Sequence, residues 1–309
     1  MSEPFALYSV VPGIRDRHLH LAGSYRDSVV AAAVLAEQHG FTGTLLHYNF
    51  HALDPWMLAQ SVIQATSRLT PLVATQPAAI PPQTLARFVI AIAHLYGRRV
   101  DVNLVIGARP DEMRAIGDEL DHDARYHRAR EYVQAVRALL TSSDAVSWQG
   151  SYYGFRDLLL EPHLPSGMLP RYFIAGSSPA GIETACLVGD VAVTHPGPWT
   201  EFETEFINPI RSRSRQAELA VRVGIIARPT KDEAWVVARE RFPTTRSGQL
   251  QTVIKTRAES HWVRSLAQHA LQQETYDEVL WLGAYGAGQA YEHTRRVFSG
   301  LVRAQGTVR

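Results

Sequence analysis

The stretch 70–107 reads TPLVATQPAAIPPQTLARFVIAIAHLYGRRVDVNLVIG and indicates the fold class. It predicts a strand over Thr70–Thr75, a helix over Pro82–Tyr96 and a second strand over Arg99–Ile106. Gly97, directly after the helix, is the residue type that commonly ends a helix in the left-handed conformation. An apolar run, an amphipathic helix and another apolar run are typical of a parallel β-α-β unit.

The same alternation extends over the whole chain. Eight apolar runs predict strands at Phe5–Val11, Thr42–His47, Thr70–Thr75, Arg99–Ile106, Arg171–Ala175, Asp190–Thr194, Ala220–Ala227 and Glu278–Leu282. Helical segments are predicted between and after them, at 24–39, 55–67, 82–96, 123–141, 179–188, 201–215, 231–241 and about 288–303. Eight β-α alternations favour a (β/α)8 barrel over an open doubly wound sheet, here as a single domain over residues 1–309. Insertions are expected at about 143–170, as a hairpin and a proline-containing loop, and at about 242–276, before the eighth strand.

The charge balance and the cysteine count exclude several classes of function. With 31 Lys+Arg against 30 Asp+Glu, the formal net charge is +1, which gives no electrostatic reason to expect a nucleic-acid or anionic-membrane partner. Cys186 is the only cysteine, so neither an internal disulfide nor a multi-cysteine metal cluster is expected. The most apolar helical stretch is about half the ~20 residues that a membrane span needs. We expect a cytoplasmic, soluble protein without a metal site.

Two segments predict an anion site where strands of a barrel end. In Ala175-Gly-Ser-Ser-Pro179, Gly176 lets the backbone approach a ligand, two hydroxyls follow, and the next helix then presents its first N–H groups. An ordinary capped turn would have the same sequence. The second segment, Leu120–His127, places His122 and Tyr126 four residues apart at the start of a helix, where both can donate hydrogen bonds to a phosphate.

Five motifs, in this order and spacing, resemble the bacterial luciferase-like flavin-dependent monooxygenases, and most closely their alkanesulfonate monooxygenase branch. They are Leu72–Pro77, Val102–Gly107, Leu120–Tyr126, Ala175–Ser178 and Gln289–Tyr291. The resemblance covers roughly 40–185, with a fainter trace at each end. It implies the (β/α)8 barrel that the strand count favours independently.

The resemblance also implies a two-component monooxygenase. A separate NAD(P)H:flavin reductase would supply reduced FMN, which would react with O2 to form a flavin C4a-peroxide and oxidise a small metabolite, free or carrier-tethered. The FMN phosphate would be held by His122, Tyr126, Ser177 and Ser178 beside Gly176. Asn103 would lie at the isoalloxazine ring, which would pack against Ala74 and Thr75. Relatives are commonly homo-oligomers, so a dimer or tetramer is expected.

The departures from the alkanesulfonate pattern lie on the substrate side. Arg222 matches an arginine of that branch and would stabilise an anion, but the histidine two residues later is Gly224. The branch's cysteine falls at Ala52, beside His51, and its tryptophan at His195. We therefore expect a substrate other than a simple alkanesulfonate.

The candidate catalytic residues are Arg222, as the electrostatic stabiliser, and His51 or His195, as the proton donor. Trp56 and Tyr285 are candidate walls of the substrate pocket, although aromatic residues at such positions are often core.

Three alternatives stay open at this point. Arg17–Ser24 holds a His-x-His motif that resembles the metal site of amidohydrolase barrels, but a divalent metal there would require this segment to be a buried strand. A non-catalytic flavin-binding paralogue would also lack the cysteine and the histidine. A third possibility within the same family is an oxidoreductase that uses the deazaflavin F420.

Overall fold

The computed structural model describes residues 5–14, 23–107, 110–195, 199–214, 216–222, 226–230, 232–233, 235–237, 253, 264 and 284–286. In this part of the chain, seven strands form one sheet in the order β1-β2-β3-β4-β7-β8-β9, and all neighbouring strands are parallel. Their bounds are β1 Tyr8–Val10, β2 Gly43–Leu46, β3 Thr70–Thr75, β4 Asp101–Leu104, β7 Tyr172–Ala175, β8 Val191–Thr194 and β9 Glu218–Val221. Two further strands, β10 Ile226–Arg228 and β11 Ala284–Gly286, also pair in parallel.

Helices connect the parallel strands, as a (β/α)8 barrel requires. They are α1 Tyr25–Gln38, α2 Pro55–Ala65, α3 Pro82–Tyr96, α4 Pro110–Ala115, α5 His122–Thr141, α6 Pro179–Val188, α7 Trp199–Phe202 and α8 Asn208–Arg213. A π-helical turn, Glu203–Ile207, joins α7 to α8. Local chemistry sets the ends: the Asp54 carboxylate accepts N–H groups at the start of α2, and Gly97 ends α3 at φ +61°.

The two faces of the sheet bury different sets of side chains because residues alternate along a strand. Leu46, Val73 and Val102 face the helices and belong to the main core. Leu72, Phe173 and Val191 form a second, smaller cluster inside the barrel, against which Tyr8, Leu45, Val193 and Ala220 pack. Residues two positions further along each strand therefore also lie on the inner face.

The amino ends of the strands are closed by a polar network centred on Asp101. Its carboxylate is fully buried, accepts a hydrogen bond from the Tyr8 hydroxyl (3.1 Å) and lies 3.3 Å from Arg99 Nε. The Arg171 backbone N–H also donates to it (3.1 Å), while the Arg171 guanidinium pairs with Glu218 (2.8 Å). We call this end of the barrel the floor and the opposite end the mouth.

An antiparallel hairpin, β5 Val146–Gln149 and β6 Gly154–Leu158, lies between β4 and β7, within the predicted insertion at about 143–170. The Glu131 carboxylate of α5 accepts the N–H groups of Ser151, Tyr152 and Tyr153 in its turn (2.8–3.1 Å). The Tyr153 hydroxyl donates to the Pro77 carbonyl (2.9 Å), which fixes the hairpin beside the end of β3.

Some sequence predictions differ from the structure or lie outside its described part. The run Ala220–Ala227 is divided between β9 and β10, and α4 was not predicted. The insertion at 242–276, the strand at 278–282 and the helix at 288–303 lie outside the described residues, apart from Val253 and Arg264. None of the described helices is long and apolar enough to cross a membrane.

Candidate active site

The mouth of the barrel carries four of the predicted site residues on the inner face of the sheet. Ala74 of β3 is the register partner of Asn103 of β4. The Arg222 N–H donates to the Thr194 carbonyl (2.9 Å), which extends the pairing of β8 with β9 and places His195 beside Arg222. His195 and Asn103 are half-buried and Arg222 is exposed, so these side chains line an accessible space.

His195 and Arg222 lie side by side but differ in charge at neutral pH. Burial, and then the positive charge of Arg222, lower the pKa of the His195 imidazole from 6.5 to about 4. A hydrogen bond to the Arg222 backbone partly opposes this shift, as expected where the ring N–H donates to a carbonyl. The exposed Arg222 guanidinium stays charged at neutral pH. The mouth therefore holds a fixed cation beside a neutral imidazole, which accepts a proton more readily than it donates one.

The turn between β7 and α6 has the construction that an anion site needs. The Tyr126 hydroxyl donates to the Ala175 carbonyl (3.0 Å), and the Ser178 hydroxyl donates to the Tyr126 oxygen. Ser178 is also the N-cap of α6 and accepts the Gly181 N–H (3.2 Å). Gly176 has φ +147°, and a Cβ there would overlap the Tyr126 hydroxyl, so the position requires glycine.

The amino end of α6 differs from the amino ends of α2 and α5. Those helices begin with the carboxylates Asp54 and Asp121 as N-caps. By contrast, α6 begins with Ser178 and Pro179 and has no acidic residue in its first turn. The positive end of its dipole is not offset by a local carboxylate, which favours a bound anion.

His122 and Ser177 complete the predicted phosphate site. The half-buried His122 ring lies 5.1 Å from the Tyr126 ring, and its Nδ1 is 2.6 Å from the Asp123 carboxylate. Ser177 is half-buried directly before the N-cap of α6. Together with the gap left by Gly176, these polar groups could hold a phosphate or another small anion.

Two predicted site residues lie on the helix side of the sheet instead of at the mouth. Trp56 is 2% exposed, packs 5.3 Å from the Phe88 ring, and donates its indole N–H to the Thr75 hydroxyl (3.2 Å). Thr75 is fully buried. The prediction of Trp56 as a pocket wall is therefore wrong for this structure, because the ring belongs to the core. Thr75 can meet a ligand only through its backbone.

The remaining predicted residues are exposed or lie outside the described part of the structure. His51 is exposed in the turn after β2, where its backbone N–H donates to the Asn49 side chain (2.8 Å). Tyr285 belongs to β11, and its side chain is outside the described part. His18 and His20 of the His-x-His motif are also outside it. Within the described residues, no group of three or more His, Cys, Asp or Glu is arranged to hold a metal ion.

Two polar residues of the inner face were missed in the sequence. His47 follows β2 two residues after Leu45, and Gln76 follows β3 two residues after Ala74. Gln76 is 1% exposed; its amide nitrogen donates to the Met113 sulfur (3.2 Å), and its oxygen has no hydrogen-bond partner in the structure. The period-two alternation from Leu45 and Leu72 was the signal that could have identified both.

The sequence of this chain is similar to those of known proteins. The sequence profile described as "Luciferase-like monooxygenase" matches residues 9–297. The chain belongs to the luciferase-like monooxygenase family. This membership confirms the resemblance seen in the sequence, and the protein is a flavin-dependent monooxygenase. The closer placement beside the alkanesulfonate branch stays a prediction.

One relative is similar to this luciferase-like monooxygenase over most of the length of both proteins. It is the 4-(gamma-L-glutamylamino)butanoyl-[BtrI acyl-carrier protein] monooxygenase BtrO of Niallia circulans, 40% identical over 285 residues, which are 92% of this chain and 82% of the relative.

Solved structures share the fold at low identity. Long-chain alkane monooxygenase LadA superposes with a TM-score of 0.70 at 16% identity, over 97% of this chain and 85% of LadA. EDTA monooxygenase EmoA of Chelativorans sp. BNC1 superposes with a TM-score of 0.69 at 18% identity, over 87% of this chain and 79% of EmoA. An F420-dependent secondary alcohol dehydrogenase superposes with a TM-score of 0.70 at 17% identity, over 95% of this chain and 89% of the dehydrogenase. These likenesses confirm the predicted (β/α)8 barrel.

Proposed function

We propose that this protein is the oxygenase component of a two-component system, which takes reduced FMN from a separate reductase and oxidises an acyl group held on an acyl carrier protein. The main support is the 40% identity with BtrO over 92% of this chain, because that relative's name specifies a carrier-linked acyl substrate. The structure gives independent support through the turn between β7 and α6, which is built to hold an anion, and through the positive charge of Arg222 at the mouth.

The phosphate of FMN would be held at the start of α6. Ser177, the N-cap Ser178 and His122 supply polar groups, and Gly176 leaves room for close approach. Tyr126 is 6% exposed and burial raises its pKa to about 12, so it stays protonated. Its proton is donated to the Ala175 carbonyl, and we assign Tyr126 mainly to shaping the turn.

Arg222 and His195 would act in the reaction space above the inner face of the sheet. Bound reduced flavin supplies the two electrons with which O2 places one oxygen atom in the substrate and the other in water. Arg222 stabilises negative charge that develops on oxygen there, because its guanidinium is permanently charged. His195 is neutral, orients the Arg222 segment through its hydrogen bond, and can accept a hydrogen bond at its second ring nitrogen.

A direct experiment uses the carrier-linked acyl group named for the relative. The protein is incubated with a flavin reductase, NADPH, FMN, O2 and 4-(γ-L-glutamylamino)butanoyl carrier protein, and the intact carrier is weighed by mass spectrometry. We expect the carrier to gain the mass of one oxygen atom, and the gain to follow isotopically labelled dioxygen. The same acyl group as a free acid is the matched control and should react far more slowly.

Two outcomes would contradict parts of the proposal. Equal oxidation of the free acid and the carrier-linked group would remove the carrier from the proposal and leave a small-molecule monooxygenase. Equilibrium titrations with FMN and with F420 separate the two cofactors, and tighter binding of F420 would overturn the assignment of FMN.

A further inference from the structure

The segment after β2 contains two histidines, and the structure places them differently. His51, predicted as a possible proton donor, lies in an exposed turn held by the Asn49 side chain. His47 is the first residue after β2 and is half-buried. The two imidazoles are only four residues apart in the chain, so they form a natural pair for comparison.

Strand register places His47 on the inner face. Leu45 packs in the cluster inside the barrel, whereas Leu46 is fully buried in the core against the helices. Because side chains alternate, His47 lies on the same face as Leu45. The β2–β3 register pairs Leu46 with Val73, so its continuation sets His47 beside Ala74.

Ala74 is in turn the register partner of Asn103 on β4. Neighbouring strands are about 4.8 Å apart, so His47, Ala74 and Asn103 form a row about 10 Å wide across the inner face. This row belongs to the same mouth as His195 and Arg222. His47 therefore lies at the edge of the space in which the proposed reaction takes place.

The other polar residues identified at the mouth do not supply a proton easily. Asn103 and Gln76 do not titrate, and the Arg222 guanidinium keeps its protons at any physiological pH. His195 is neutral in this environment. An imidazole, by contrast, is the side chain that ordinarily exchanges protons near neutral pH.

Building on the proposed function, we propose that His47 is a catalytic residue that gives its imidazole proton to the oxygen atom leaving as water. The acting form is the imidazolium: one of its N–H bonds breaks, an O–H bond forms on the departing oxygen, and the neutral ring that remains recovers a proton from solvent. The electrons come from reduced FMN and the oxygen from O2, so His47 itself undergoes no redox change.

The test compares His47→Asn and His47→Gln with His51→Asn. Oxidation of the carrier-linked acyl group is measured together with binding of FMN and the thermal midpoint of each variant. We expect both His47 variants to lose about 10²–10⁴-fold in kcat, the range typical of a general acid. FMN affinity should change less than about threefold, because the His47 variants leave the proposed phosphate site at α6 unchanged. His51→Asn should retain the wild-type rate.

A second measurement does not depend on the acyl substrate. Reduced FMN bound to each variant is mixed with O2 alone, and flavin reoxidation and hydrogen peroxide release are followed. Departure of peroxide also needs a proton, so the His47 variants should release it more slowly than His51→Asn does.

Equal peroxide release by all three variants would overturn the inference, as would the loss of substrate oxidation in His51→Asn alone. A different outcome would separate the two proposals. If the wild-type protein did not oxidise the carrier-linked probe but released peroxide normally, and the His47 variants released peroxide slowly, the carrier assignment would be overturned. The assignment of His47 as a proton donor would then stand.

Discussion

At the floor of the barrel the fully buried Asp101 contacts Tyr8, Arg99 and Arg171, whereas at the mouth Arg222 is exposed to solvent beside a neutral His195. Within the described residues, Arg99 and Arg171 pair with carboxylates at the floor, whereas no carboxylate pairs with Arg222. Burial and the Asp101 carboxylate raise the pKa of Tyr8, so the floor keeps this phenol protonated as a donor.

The comparison separates charges that hold the fold from a charge that is available to a ligand. A buried carboxylate with three partners is costly to disturb, because its removal leaves donors and cations without compensation. An exposed guanidinium contributes little to stability and keeps its capacity to interact. We therefore expect floor variants to lose stability and mouth variants to lose activity.

Among the variants that test this comparison of floor and mouth, the largest effect is expected for Arg222→Ala. One preorganised donor to a developing oxyanion is typically worth about 10²–10³-fold in kcat, and an exposed side chain changes the free energy of unfolding by about 0.5 kcal/mol or less. Steady-state kinetics and urea unfolding measure the two quantities. Arg171→Ala is the matched control: it should unfold at lower urea concentration and keep kcat. If Arg222→Ala weakened FMN binding as much as it slowed oxidation, Arg222 would be a flavin anchor.

Asp101→Asn tests the floor directly. The amide keeps the size of the side chain but removes the charge that faces Arg99 and Arg171, so we expect a loss of about 1–3 kcal/mol in the free energy of unfolding. The folded fraction should retain the wild-type kcat and FMN affinity. Unchanged stability would show that the floor network does not contribute to folding.

The phosphate assignment predicts a smaller effect for the double variant Ser177→Ala/Ser178→Ala. FMN binding should weaken by about tenfold in a fluorescence titration, because two hydroxyls near the anion are lost. Loss of an N-cap alone costs about 1 kcal/mol of stability, so Ser24→Ala, the N-cap of α1, is the control for that structural effect. Equal FMN affinity in the double variant and in Ser24→Ala would refute the phosphate site.

The smallest effect concerns the pH dependence of stability. The His195 pKa is about 4 in the folded protein against an ordinary value of 6.5, so the unfolded chain binds more protons in this window. Stability should therefore fall as the pH falls from 6.5 towards 4, by about 1 kcal/mol after allowance for solvent screening. Urea unfolding above and within this window measures the slope. His195→Gln should have a flatter profile, and an identical slope in both proteins would contradict the shifted pKa.

Much of the fold follows from local patterns that the sequence displays. In the unit 70–107 the first strand and the helix were predicted to the residue, and the second strand to within two residues at each end. The reason is that apolar runs, helix periodicity and Gly97 all act within a few residues of one another. The division of the run Ala220–Ala227 was not predicted, because its mostly apolar pattern does not reveal that the chain leaves one strand pair and joins another.

The candidate site was predicted less completely. The turn Ala175–Ser178 was found because a glycine, hydroxyls and a helix start are adjacent in sequence. Trp56 was misplaced because an aromatic residue near a strand end fits a pocket wall and a core equally well, and only its contact with Thr75 distinguishes them. His47 was missed because alternation shows that it shares a face with Leu45, but only the packing shows that Leu45 and not Leu46 faces the inside of the barrel.

The sequence by itself determined the alternation of strands and helices, the family, and the residue types available for catalysis, since these depend on periodicity and on short motifs. The tertiary structure decided which arginine is paired and which is exposed. It also decided which histidine faces the interior, and where the hydroxyl protons of Tyr126 and Ser178 are donated. The physical reason is that register, burial and the surrounding charges arise between segments distant in sequence, and they set the chemistry of each side chain.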